Sequence, residues 1–138
     1  MTAPKQGPTL AVSVAVWSKE HILLVQRGKP PNQGLWALPG GKVKFGETLA
    51  KAAIREMQEE TGLAVAPQKL FLVKDIISLD FHYNLHCITA KIISGELAAA
   101  DDAHSAKWVP YSELGQLPTV PDLATSVTLS KNGPFLPI

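Results

Sequence analysis

The chain has one cysteine, Cys87, among 138 residues. No internal disulfide can form, and a reducing compartment is expected. No apolar run approaches the ~20 residues needed to cross a bilayer. The opening MTAPKQGPTL lacks the charged and apolar stretches of a signal peptide. These shortages point to a soluble, cytoplasmic chain with no membrane partner. Arginine is scarce, with only Arg27 and Arg55, and charge of either sign is balanced. Thirteen Lys and Arg against twelve Asp and Glu give a formal net charge of +1. That argues against a duplex-binding surface, which would normally show a concentrated basic patch. Hydrophobic residues make up 46% and charged residues 18%, a globular composition. The length fits a single domain, 1–138, around one core.

Residues 9–17, TLAVSVAVW, alternate with a period of two. Leu10, Val12, Val14 and Val16 share one face, with mostly small residues on the other. This predicts a half-buried strand. A polar break at Ser18–Glu20 and the run ILLVQR at 22–27 suggest an antiparallel partner. GKPPNQG at 28–34 reads as a loop, and Pro39-Gly40-Gly41 as a turn that lets backbone approach a ligand closely. Residues 47–61 read as a helix ended by Gly62. Strand-like runs follow at 70–77, 81–93 and 107–109, a loop at 95–105, and short helices at 111–115 and 121–130. The irregular interleaving favours an α/β (α+β mixed) fold with a mixed sheet flanked by helices.

On a helical wheel at ~100° per residue, Ala50, Ala53, Ile54 and Met57 form an apolar stripe. Glu47, Thr48, Lys51, Arg55 and Gln58 lie opposite, toward water. Glu56, Glu59 and Glu60 make a third patch, related by i, i+3 and i, i+4 spacing. Crowded carboxylates repel by a few tenths of a kcal/mol per pair on an exposed helix. A hard divalent cation such as Mg²⁺ would remove that repulsion. A solvated acidic face, with Arg55 bridging Glu59, is the competing reading.

Residues 41–63, GKVKFGETLAKAAIREMQEETGL, decide between them. Gly41, Glu47, Arg55, Glu56, Met57, Glu59, Glu60, Gly62 and Leu63 fill every defined position of the Nudix box, G-x5-E-x7-R-E-U-x-E-E-x-G-U, where U is aliphatic. The chain therefore resembles the Nudix hydrolases, more loosely over about residues 9 to 110. That resemblance implies a Nudix-type αβα sandwich carrying a loop–helix–loop box. It implies Mg²⁺, with Mn²⁺ as a substitute, and a small-molecule nucleotide substrate. Carried over by position, Glu56 and Glu60 resemble the main metal ligands and the Gly41 carbonyl a backbone ligand. Glu59 resembles a further ligand or the base. Arg55 and Glu47 resemble the pair that orients the glutamates. The expected reaction is hydrolysis of a nucleoside diphosphate linked to another moiety, leaning to ADP-ribose or ADP-sugars. A nucleoside triphosphate pyrophosphohydrolase and a non-catalytic nucleotide sensor are the other readings.

Other residues are candidates on their own chemistry. Asp102, in DDAHSAKWV, is a candidate ligand or base, or a loop aspartate. Arg27, at the end of a strand, is placed to grip a phosphate or carboxylate bidentately, or is a surface strand-end arginine. Trp36 is placed to stack on a base or to pack beneath the glycine turn. His82 and His86 share a strand face with Asn84 without making a zinc site. ISLD at 77–80 lacks a proline found in some ADP-ribose-cleaving relatives, and Tyr83 only approximates a dinucleoside-polyphosphate signature. Homodimerisation is compatible with all of this.

Overall fold

The alternation of β1 (Thr9–Ala15) places valines on one side of the strand and small residues on the other, and both sides are covered. Ala11, Val12, Val14 and Ala15 are all at most 7% exposed. The strand is thus buried on two faces rather than one. In this computed structural model, which describes residues 7–98 and 103–138, β1 lies inside a mixed sheet. It runs parallel to β7 (His82–Ser94) and antiparallel to β5 (Gly40–Lys42). Beyond β7 comes the antiparallel β6 (Ala64–Ile77), then the short β9 (Leu136–Pro137), giving the order β5-β1-β7-β6-β9.

The expected pairing of 9–17 with 22–27 holds only at its end. After Ala15 the chain leaves the first sheet, and β2 (Trp17–Ser18) pairs with the start of β3 (His21–Arg27). A Leu23 N–H bond to the Val16 carbonyl at 3.0 Å closes this corner. β3 is the centre of a second sheet. β8 (Ala103–Pro110) covers its whole length on one edge, while β2 and then β4 (Trp36–Ala37) share the other. β6 and β8 both begin earlier than the apolar runs suggested, because their N-terminal residues are drawn in by pairing with β7 and β3.

The box helix α1 (Leu49–Thr61) starts where Thr48 Oγ1 accepts the Lys51 N–H at 3.1 Å and stops at Gly62, φ 75°. A left-handed residue is cheap only without a Cβ. Its buried residues are Ala52, Ala53, Met57 and Thr61, whereas Ile54 is 43% exposed. The apolar stripe is thus rotated from the one expected, toward the glutamate edge. It packs on Val12, Val14 and Ile88. On the opposite side α2 (Leu123–Asn132) inserts Leu123 and Val127 against Ala15, Ile22, Leu24 and Cys87. The predicted helix at 111–115 is a 3-10 helix, Tyr111–Gln116. The result is the expected αβα arrangement with mixed sheet pairing. No helix among the described residues is long and apolar enough to cross a membrane.

Candidate active site

The box helix and β5 meet through two glycines. A Cβ on Gly40 would sit 2.0 Å from the Val12 carbonyl, and one on Gly41 2.6 Å from the Glu56 carboxyl. Only a missing side chain permits these approaches. The Gly40 N–H donates to Glu60 Oε2 at 2.7 Å. Two carboxylates from successive turns of α1 are therefore brought to one short stretch of backbone.

Arg55 organises the rest. The wheel put it toward water, yet its side chain is only 20% exposed, because a long side chain reaches well beyond its Cα position. Its Nε and Nη2 donate to Glu47 Oε2 and Oε1 at 2.8 and 2.9 Å, a bidentate pair. Nη1 donates to Glu56 at 2.8 Å and to Glu59 at 3.2 Å, and Nη2 also reaches the Lys42 carbonyl at 2.9 Å. The Arg55 guanidinium, then the Lys44 N–H, hold the Glu47 carboxyl down at about 2. The same pairing, first with Glu47, pushes the Arg55 guanidinium further up. Glu56 moves the other way. Burial raises its carboxyl despite Arg55, with Glu59 and Glu47 adding like charge.

Among the described residues, no three acidic, histidine or cysteine side chains already form a closed ligand set. Arg55 draws Glu56 and Glu59 toward itself while Glu60 turns to the Gly40 amide. The donors are nonetheless hard oxygens, two of them carboxylates held at the Gly40–Gly41 backbone. That chemistry fits an oxygen-ligated divalent cation.

A cleft of about 870 Å³ opens beside these groups, between the two sheets. Ala11 and Ser13, the small face of β1, line it. Glu56, Glu59 and Glu60 stand at one end, and the loop 28–32 forms a wall. Arg27 also lines the cleft, but its Nε is committed to the Pro31 carbonyl at 2.7 Å, fastening that loop. Trp36 is 7% exposed and packed in the α2-side core, with Lys107 Nζ 4.5 Å from its ring centroid. It does not line the cleft. Asp102 lies outside the described residues. His82 and His86 join a polar ladder in which Asp75 Oδ1 accepts from Asn84 and bonds His82, while Asn84 Oδ1 bonds His86.

The far end of the cleft includes Lys74, Tyr83, Asp122 and Ser126. Of these, only Tyr83 drew attention in the sequence. Lys74 reads there as one of two adjacent polar residues within LFLVKDII. Asp122 and Ser126 reach the cleft because β4 ties down the preceding segment. Trp36 N–H bonds the Pro118 carbonyl at 2.9 Å, and Val120 N–H bonds the Trp36 carbonyl at 3.0 Å.

The fold and this box define a Nudix domain. The NUDIX domain family model matches residues 7–128. The chain belongs to that family and is a Nudix hydrolase. An ADP-ribose pyrophosphatase of Methanocaldococcus jannaschii is 38% identical over 114 residues, covering 80% of this chain and 66% of that protein. A putative 8-oxo-dGTP diphosphatase 2 of Mycobacterium tuberculosis is 41% identical over 103 residues, covering 72% of each. Among solved structures, a MutT NUDIX hydrolase from Burkholderia pseudomallei superposes with a TM-score of 0.82 at 28% identity, over 90% of this chain and 98% of that one. A bifunctional NMN adenylyltransferase/ADP ribose pyrophosphatase from Francisella tularensis, in complex with AMP and a manganese ion, gives 0.81 at 30% identity. It covers 94% of this chain and 43% of that one.

Proposed function

We propose that this cleft hydrolyses the phosphate–phosphate link of a nucleoside diphosphate joined to another group, releasing a nucleoside monophosphate and the phosphorylated partner. The observation that carries this reading is the meeting of Glu56 and Glu60 at the Gly40–Gly41 backbone on the cleft wall. Glu56, Glu60, Glu59 and the Gly41 carbonyl would hold Mg²⁺, or Mn²⁺ in its place. When bound, the metal neutralises pyrophosphate oxygens and acidifies an attacking water. Arg55 and Glu47 hold the glutamates in position. Glu59, with a side chain 40% exposed and one oxygen on Arg55, has an oxygen available to accept the water's proton. Asp102 is the second candidate for that role. Arg27 serves binding by fixing the wall 28–32 rather than by gripping phosphate through Nε.

Two substrates lead. ADP-ribose, or an ADP-sugar, is favoured by likeness to the archaeal pyrophosphatase. An oxidised purine nucleoside triphosphate is favoured by likeness to the mycobacterial diphosphatase. The test is turnover of both with Mg²⁺, in the parent and in Glu60→Gln. We expect the variant to keep its circular dichroism spectrum and to lose at least about 100-fold in kcat, the scale of a lost metal-held or acid–base group. Full activity in the variant would remove Glu60 from the site.

A further inference from the structure

Among the described residues, Lys74 is a cation with no carboxylate partner. Its side chain is half-buried on β6, and its one polar contact among the described residues is Ser126 Oγ, at a long 3.4 Å. No ion pair among the described residues includes it. An ammonium drawn part-way out of water without a counter-charge is costly, so its natural partner is a strong acceptor brought by a ligand. The side chain lines the cleft together with Leu85 and Cys87.

Strand register fixes its place. Lys42, Ala11, Leu85 and Lys74 form one row across β5, β1, β7 and β6. At ~4.8 Å per strand, three steps put Lys74 about 14 Å from the β5 end of the row, where the glutamates stand. That backbone separation leaves room for a sugar followed by a purine between phosphates held at the glutamates and the Lys74 side chain. Asp122 stands on the same wall, one helical turn before Ser126, whose N–H bonds its carbonyl at 3.1 Å. Its backbone is left-handed, φ 63°, and its carboxylate does not cap α2. A non-glycine residue held there is mildly strained, as residues at binding sites often are.

We infer that Lys74 is a specificity-determining residue that donates to a carbonyl oxygen on the nucleobase, selecting 6-oxopurine over 6-aminopurine nucleotides. This rests on the reading of the cleft as a nucleotide pyrophosphohydrolase site and chooses between its two leading substrates. An ammonium has three donors and no acceptor, so it bonds a carbonyl and opposes an amino group. The lactam edge of a 6-oxopurine also carries an N–H beside its oxygen, for which Asp122 offers an acceptor. A 6-aminopurine presents the reverse order.

The experiment compares inosine and adenosine 5′-triphosphates on the parent, Lys74→Met and Lys74→Arg. A bond to a charged donor predicts a parent preference for the oxo base of about tenfold or more in kcat/KM. Lys74→Met should collapse that preference, chiefly by raising KM for the inosine nucleotide, and Lys74→Arg should retain part of it. Equal losses on both nucleotides in Lys74→Met would mean a phosphate contact or a damaged fold. An unaltered preference would remove Lys74 from base recognition. Calorimetric binding of inosine and adenosine monophosphates to the same three proteins gives the same comparison without turnover. If neither triphosphate is hydrolysed, the triphosphate reading of the site fails, while the binding arm still decides the role of Lys74.

Discussion

Arg55 is one residue with five contacts, and with the Gly40 N–H on Glu60 it explains why Glu56, Glu59 and Glu60 can crowd on a short helix before any cation arrives. Its partner Glu47 ties the box's first loop to its last turns. The sign of the resulting pH dependence follows from the lowered carboxyl. A folded-state value near 2 against an ordinary 4.5 gives stability that is fully present above about pH 4.5 and lost as pH falls toward 2. Glu47→Gln should therefore unfold more readily at pH 7, by about 1 to 2 kcal/mol for a charge-assisted pair. It should also lose less stability than the parent between pH 4.5 and 2. Urea titrations at several pH values measure both, and parallel curves for the two proteins would refute the pairing. Cys87, by contrast, is a core residue, 1% exposed, with burial pushing its thiol up to about 11.

At the scale of elements, the box works because β5 and α1 touch through glycine. The sequence motif marks Gly41 and the helix, and Thr48 and Gly62 mark its ends. What the motif does not state is which approach each glycine serves. Gly40 is pressed against the backbone of β1 and Gly41 against the Glu56 carboxyl. The two alanine variants should part accordingly. Gly40→Ala must push a strand aside and should cost roughly 2 to 3 kcal/mol of stability, the upper end of overpacking. Gly41→Ala displaces a side chain, so it should lose less stability but depress turnover by disturbing Glu56. Denaturation and kcat measured together separate them, and equal behaviour would contradict the geometry. Helical periodicity puts Ile54 in the apolar stripe, but α1 is rolled so that the glutamate edge meets β5 and Ile54 is 43% exposed.

For the whole molecule, two sheets joined at the Ala15–Trp17 corner create the cleft, and both α1 and α2 contribute residues to its lining. α2 is fastened to that corner by Trp17 Nε1 donating to Ser130 Oγ at 3.0 Å and by Tyr111 bonding Thr128 at 2.6 Å. The cleft is therefore a product of assembly rather than of any one segment. A cation that binds only the folded state raises its melting temperature. Mg²⁺ should stabilise the parent more than Glu56→Gln or Glu60→Gln, read by thermal denaturation with and without the metal. Equal shifts in all three would place the cation elsewhere.

The sequence by itself determined the family, the box helix and its caps, the identity of the crowded carboxylates and the mixture of strands with helices. These depend on residues close together in the chain, where periodicity and spacing carry the information. Only the tertiary structure decided that β1 leaves its expected hairpin for a parallel partner in another sheet. Only it decided that Arg27 fastens a loop, that Trp36 is core, and that Lys74, Asp122 and Ser126 share the far end of one cleft. Those residues are dozens of positions apart, and nothing local distinguishes a strand lysine that faces open water from one that lines a cleft. That distinction arises only when α2 is laid over β6 and leaves the lysine half-enclosed.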